Sequence, residues 1–283
     1  MNIILVDASY TTFHRFFATY RWMSFAHKEH FKQYKDDNKY DWSKDEIFMK
    51  TYEKQYLESI KKVVKDKIKG KDFKDSLLIF CQDSPQSELW RHEYIDCYKG
   101  KRVDQSEKVN LKPTFSYTYK TLIPKLVKEN KNIHSLMIPK IEGDDVIAII
   151  SKYIRRNKPN YTQFVVSGDQ DFLQLGYPNL YFADYKKKEL KNLTRDEAKI
   201  ALLQKIVSGD CSDNIPSIFV EKISNKLKKE LREDSDKLLN YINSNKKVRK
   251  QFKTNRRIIS FKYIPKEYQK IVYKEFKKIL KDK

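Results

Sequence analysis

Short apolar runs that end in acid recur along this chain, and they restrict its fold more than any other feature. Residues 2–6 run into Asp7, and residues 77–81 run toward Asp83. Residues 134–138 lead to Glu142-Gly143-Asp144-Asp145, and residues 163–166 lead to Ser167-Gly168-Asp169-Gln170-Asp171. Each run is short, apolar and partly β-branched, the signature of a buried strand. Residues 179–183 make a weaker fifth strand. Helical spacings lie between them. Residues 45–69 carry Ile47, Phe48, Tyr52, Tyr56, Ile60, Val63, Val64 and Ile68, and residues 117–128 and 144–154 are patterned alike. Alternation of strands and helices predicts an α/β fold with a mainly parallel central sheet and helices on both faces. Such sheets bind ligands beyond the carboxyl ends of their strands, which is where these acids fall.

A further acidic element, residues 208–216 with Asp210 and Asp213, follows an amphipathic helix over 197–207. Carboxylates brought to one point repel each other and gather only around a cation. Hard oxygen donors select Mg²⁺, with Mn²⁺ as a substitute. Asp169 and Asp171, two residues apart, can face one pair of ions. At the start of a helix an acid also serves as an ordinary cap, so Asp144 or Asp145 taken singly carries either meaning. No His or Cys nucleophile sits in these motifs, which argues against a covalent mechanism. A two-ion carboxylate site suits phosphodiester hydrolysis, because the ions hold the attacking and leaving oxygens in line.

The acids are exceptions in a basic protein. Lys+Arg number 59 against 38 Asp+Glu, a formal net charge of +21 over 283 residues. Such a field concentrates polyanions, nucleic acid first and an anionic membrane surface second. The accompanying wealth of Lys, Asn, Ile and Tyr is also what an A+T-rich coding sequence produces, so charge alone does not name the ligand. Residues 221–283 hold 21 Lys/Arg against 8 Asp/Glu, which predicts a basic helical lobe over 191–283 beside a sheet domain over 1–190. The last helix, after Pro265, sets Tyr268, Ile271, Val272, Phe276, Ile279 and Leu280 on one face. Cys81, Cys97 and Cys211 fit neither a zinc spacing nor a disulfide framework. With no apolar run long enough to span a bilayer and a first strand entered at once, a cytoplasmic protein without a leader is expected.

Two segments join aromatic and cationic residues. Residues 89–102 carry Arg91, Tyr94, Tyr98, Lys99, Lys101 and Arg102, able to grip a phosphate strand and stack a base, or to form a solvated helix with snorkelling lysines. Residues 20–42 hold seven aromatic residues without a clean period. They either pack on the domain surface or offer rings to bases.

The ordered motifs resemble the flap-endonuclease superfamily of structure-specific 5′ nucleases, in particular its bacteriophage branch of the T-even ribonuclease H type. The likeness rests on the opening strand with Asp7, Cys81-Gln82-Asp83 followed by Trp90-Arg91 and residues 98–102, the clusters at 142–145 and 167–172, Gly209-Asp210 with Asp213, and residues 258–265. It implies 5′→3′ exonuclease and flap endonuclease activity on DNA with a 5′ flap, nick or fork and on RNA–DNA hybrid. The implied task is removal of RNA primers in phage lagging-strand replication, in the cytoplasm of the infected cell. It places Asp7, Asp83, Asp144 and Asp169, with Glu142 and Asp145 beside them, around one Mg²⁺, and Asp171, Asp210 and Asp213 around a second. Arg91, Lys99 and Arg102 would meet the scissile phosphate. Residues 86–115 would form an arch, with Tyr94, Tyr98 and Lys101 against the strand. The family's helix–turns–helix element usually has glycines after the acidic turn. Residues 216–222 have none, so Lys222, Lys226, Lys228 and Lys229 would grip duplex by side-chain charge instead.

A monomer is expected, with a single-stranded-DNA-binding protein and a sliding clamp as partners and the C-terminal helix as the docking candidate. Two rival readings share part of the pattern. A PIN-type ribonuclease acting on single-stranded RNA has the sheet and acids but no long basic arch or tail. A catalytically silent branched-DNA-binding module gains nothing from acids that repel phosphate at its centre.

Overall fold

The computed structural model describes residues 1–68, 70–100, 109–187, 190–219 and 223–281. Its centre is a six-stranded sheet of β1 (Asn2–Asp7), β2 (Leu77–Gln82), β3 (Ile133–Met137), β4 (Thr162–Val166), β5 (Leu180–Ala183) and β6 (Lys191–Asn192). The strand order is β3-β2-β1-β4-β5-β6. The first five strands pair in parallel, and the two-residue β6 pairs antiparallel with β5. The chain steps outward from β1 through β2 to β3, then crosses back to place β4 on the other side of β1. The reversal puts a crevice at the carboxyl ends of β1 and β4, the place where open α/β sheets bind ligands.

The helices follow as α1 (Ala8–Ala26), α2 (Lys28–Tyr34), α3 (Glu46–Val64), α4 (Gly70–Asp75), α5 (Lys112–Tyr117), α6 (Ile123–Glu129), α7 (Gly143–Asn157) and α8 (Arg195–Ser208). The last four are α9 (Asn225–Glu233), α10 (Ser235–Ser244), α11 (Lys246–Ile259) and α12 (Lys266–Lys281). Between α5 and α6 the chain widens into a π turn over Thr118–Leu122. Pro124 stands just beyond that turn and has no N–H to continue a regular ladder.

Strand alternation sorts the core into two layers. Ile4, Val6, Leu78, Phe80, Phe164 and Val166 face a layer that includes Phe16, Phe48, Tyr52, Tyr56 and Ile60 of α1 and α3. Ile3, Leu5, Leu77, Ile79 and Val165 face α7, with Tyr268, Val272, Phe276 and Ile279 of α12 in the same cluster. The C-terminal helix therefore closes the core of the sheet domain. α12 thus packs into the core of the sheet although it lies beyond residue 190. Most of its apolar face is covered there, and Ile271 stays exposed. The separate lobe is smaller: Val207, Ile218, Leu231, Leu238, Ile242 and Val248 form its core.

The aromatic segment 20–42 resolves as packing. Trp42 is buried, with ring centroids 4.8 Å from Tyr40, 5.2 Å from Tyr20 and 5.3 Å from Phe48. Asp45 ties this cluster down. It caps α3 by accepting from Phe48 N at 2.9 Å, and it also accepts from Tyr40 Oη at 3.0 Å and lies 2.6 Å from His30 Nε2. Only Trp22 and Phe25 of this segment remain as exposed large hydrophobic residues. Replacing Trp42 with Ala should lower unfolding free energy by about 3–5 kcal/mol in urea denaturation. Unchanged stability with weakened DNA binding would instead assign the ring to base stacking.

Candidate metal and phosphate site

Each strand end delivers its acid through a local structural job. Asp7 ends β1 and caps α1: its Oδ1 accepts from Tyr10 N at 2.9 Å and Ser9 Oγ at 3.0 Å. Its Oδ2 accepts from Ser167 Oγ at 2.8 Å, which ties β1 to the end of β4. Asp83 follows β2 and accepts from Gly143 N at 2.8 Å, at the first turn of α7. A Cβ at Gly143 would lie 2.8 Å from the Cys81 carbonyl oxygen, so a larger residue would push α7, and with it Asp144, away from β2. Asp169 caps the 3-10 turn Gln170–Leu175 and accepts from Asp171 N at 2.8 Å.

These placements converge. Asp7, Asp83, Asp144 and Asp169 line one cavity of about 480 Å³, with Lys99 at its edge and Tyr10, Phe13 and Phe115 on its wall. A small adjoining recess shares Asp144, Asp169 and Lys99 and adds Glu142, Asp171 and Asp213. Asp210 lies outside both linings, held 2.6 Å from Lys205 Nζ, whose ammonium also lies 2.7 Å from Asp171.

The acid turn is built by backbone. Gly209 has φ +70°, and a Cβ there would meet the Ile215 carbonyl oxygen at 2.4 Å. Asp210 and Ile215 then exchange both backbone hydrogen bonds, at 2.7 and 2.8 Å. The segment 97–99 laces to this turn: Lys99 N donates to the Asp213 carbonyl at 3.2 Å, and Asn214 Nδ2 donates to the Cys97 carbonyl at 2.8 Å. Leu89, Tyr98, Ile206, Ile215, Ile258 and Ile259 form the apolar cluster beneath.

Charge crowding shows in the acids' protonation. Burial, then the charge of Asp83, pushes Asp7 up to about 6. Burial, then Asp7, Asp169 and Asp83, raises Asp144 well above the carboxylate range. Asp83 is also raised, chiefly by burial, and Asp171 rises to about 6 through burial and Asp169. Glu142 goes the other way. Burial alone would raise it, but Arg91 and Lys99 outweigh that and hold it at about 2.

The remaining expected site residues divide. Lys99 adopts φ 58° and pairs with Glu142 at the cavity edge. Arg91 is buried and committed: its guanidinium donates twice to Asp145, at 2.7 and 2.8 Å, and once to Glu142 at 2.6 Å, while Nε donates to the Ile258 carbonyl at 3.1 Å. Asp145 is fully buried and also accepts from Trp90 Nε1 at 2.9 Å. The structure therefore places Asp145 in an internal ion pair, away from the acid cavity, and turns Arg91 inward. Tyr98 is buried, its hydroxyl donating to Glu142 at 3.0 Å and Asp213 at 3.2 Å, so its ring is covered. Tyr94 is exposed, with the Arg257 guanidinium 4.7 Å above its ring. Lys226, Lys228 and Lys229 stand on α9, which lines neither cavity. Lys101, Arg102 and Lys222 lie outside the described residues, as do residues 101–108 of the expected arch. Sequence reasoning missed Ser9, Ser167 and Lys205. Ser167 had a signal in its place between a strand and Asp169, and Lys205 in its place one helical turn before Gly209.

The donor set fits a hard divalent cation, for buried carboxylates with raised pKa values are short of positive charge. Among the described residues no group of three already closes on a single point.

A family model described as 5′–3′ exonuclease, N-terminal resolvase-like domain, matches residues 2–202. The chain belongs to this family. Ribonuclease H of Enterobacteria phage T4 is 27% identical over 186 residues, covering 62% of this chain and 57% of that protein, so the chain spans little more than half the length of this curated relative. The flap endonuclease of bacteriophage T5, in a complex with DNA and metal ions, aligns over 100% of this chain and 99% of its own at 16% identity and a TM-score of 0.64. The T5 protein co-crystallised with metal ions aligns over the same shares at 17% identity and the same TM-score. At such identities the structural likeness speaks for the fold. No helix among the described residues is long and apolar enough to cross a membrane.

Asp7 offers a pH test. Its pKa is raised in the folded protein, so its contribution to stability is full below the unfolded value of about 4 and is lost as pH rises through about 6. With EDTA present, the wild-type protein should lose roughly 1–3 kcal/mol relative to Asp7→Asn across that window. Urea midpoints measured against pH check this, and parallel curves for the two proteins would contradict it.

Proposed function

We propose that the protein is a Mg²⁺-dependent, structure-specific 5′ nuclease that hydrolyses phosphodiester bonds. Its substrates are DNA with a 5′ flap, nick or fork and RNA–DNA hybrid, and its task is removal of RNA primers in phage lagging-strand replication. The observation that carries this reading is the convergence of Asp7, Asp83, Asp144 and Asp169 on one cavity at the strand-order reversal. Two divalent ions bound by these acids and by Asp171, Asp210 and Asp213 would supply hydroxide and offset charge on the attacking and leaving oxygens. Mn²⁺ would substitute.

The chain's own groups do the rest. Ser9, Ser167 and the Gly143 amide fix the rotamers of Asp7 and Asp83. Lys99, at the cavity edge, is the described cation best placed to meet a phosphate; it would exchange Glu142 for the scissile group as charge develops. Tyr10, Phe13 and Phe115 give the cavity an aromatic wall against which a terminal base can rest. Arg91 acts at one remove, by orienting Glu142 and α7 through Asp145. In that setting the protein acts as a monomer with a single-stranded-DNA-binding protein and a sliding clamp.

The reading is tested with 5′-labelled flap, nick and hybrid substrates, with and without Mg²⁺. Asp83→Asn and Asp169→Asn should each abolish cleavage while leaving DNA binding within a few-fold. Lys99→Ala should slow cleavage by about 10²-fold or more with far less effect on binding. Retained Mg²⁺-dependent cleavage in both Asp variants would refute the proposal, and cleavage confined to single-stranded RNA would replace it with a PIN-type ribonuclease.

A further inference from the structure

The two groups of acids differ in one respect. Asp7, Asp83, Asp144 and Asp169 share their cavity with Lys99, whose ammonium is turned to Glu142. The outer pair, Asp171 and Asp210, already holds a cation between its carboxylates. Lys205 Nζ stands 2.7 Å from Asp171 Oδ1 and 2.6 Å from Asp210 Oδ2, with the three side chains only 26%, 19% and 15% exposed. Lys205 is held there by α8, whose last turn closes when Gly209 N donates to the Lys205 carbonyl at 2.9 Å. Asp210 is fixed from the other side, accepting from Ser212 N at 2.8 Å and Ser212 Oγ at 2.6 Å. A compact ammonium that donates a charge-assisted hydrogen bond to Asp210 and lies in ion-pair contact with Asp171 is a strong occupant of a largely buried site.

We propose that Lys205 is the resident cation of the outer acid pair, so that a divalent ion binds between Asp171 and Asp210 only by displacing its ammonium. The inference rests on the metal-dependent reading above and refines it: the inner acids fill first, and the outer subsite is the weaker of the two. Displacement converts a three-charge cluster of net −1 into a neutral metal–dicarboxylate site. The freed ammonium stays tethered to α8, next to the incoming phosphate backbone. Lys205 is thus a positioning residue that sets metal occupancy. The neighbouring Asp213 accepts from the Tyr98 hydroxyl.

The test counts ions directly. Free Mn²⁺ is measured by electron paramagnetic resonance during titration of the DNA-free wild-type protein, Lys205→Met and Lys205→Arg. Wild type should bind one ion tightly and a second at least about tenfold more weakly. Lys205→Met should tighten the second event by about tenfold and leave the first within about twofold, whereas Lys205→Arg should keep the second event weak. Should Lys205→Met unfold without metal through unrelieved repulsion of Asp171 and Asp210, recovery of its circular dichroism on adding Mn²⁺ supports the proposal, and failure to recover counts against it. Equal second-site affinity in wild type and Lys205→Met would overturn the proposal while leaving the nuclease reading intact. No Mn²⁺ bound by any of the three proteins would sink both.

Discussion

Repulsion among carboxylates at the ends of β1, β2 and β4 and the start of α7 is the constraint around which the rest of the molecule is arranged. Nothing about crowding four acids is favourable by itself, and loss of solvent with mutual charge raises Asp7, Asp83 and Asp144 above their ordinary range. The fold holds them through bonds that also build secondary structure: a helix cap on Asp7, a strand-to-helix tie from Asp83 to Gly143, and a turn capped by Asp169. Removing one acid therefore touches a structural bond as well as a charge. The two apolar layers of the sheet supply the stability against which this repulsion is set.

Around that core of negative charge the protein places positive charge in two ways. Arg91 is locked inward against Asp145 and Glu142. Breaking such a buried pair leaves an uncompensated charge, a more costly event than its net worth as a pair suggests. The pair joins the turn Trp90–Glu93 to α7, and Arg91 Nε reaches α11 through the Ile258 carbonyl, so three segments distant in sequence share one junction. Lys99 and Lys205 instead sit at the rims of the acid groups, each paired with a carboxylate. On the proposed reading an ion or a phosphate would compete for those pairings, so that one set of cations builds the site and the other stands where exchange would occur.

Much of this was legible before the coordinates. Period-two and buried runs located five strands, since β-branched residues at 2–6, 77–81 and 163–166 leave little other choice. The acids were legible because polar residues ending apolar strands have few structural uses. The direction of a side chain was not. Arg91 and Lys99 look alike as cations after a metal acid, yet the indole of Trp90 shares Asp145 with Arg91 and draws it inside, a contact made across 54 residues of chain. Tyr98 and Tyr94 divide similarly, because Tyr98 falls over the apolar cluster of Ile206, Ile215 and Ile258. The packing of α12 into the sheet core is hidden for a related reason: its apolar face states that it packs, not on what. Asp145 was ambiguous from its helix-start position alone, and the capping alternative proved nearer to its role.

The central claim, that these acids are gathered for a divalent ion, is tested most directly by thermal unfolding of the DNA-free protein near neutral pH, with Mg²⁺ titrated at constant ionic strength. A ligand bound only by the folded state adds about 2.7 kcal/mol at 100 times its Kd, which for a chain of this size is roughly 4–5 °C. The account predicts a saturable rise in Tm of that order, lost in Asp83→Asn. A Tm that stays flat across the titration, or rises equally in the variant, would contradict it.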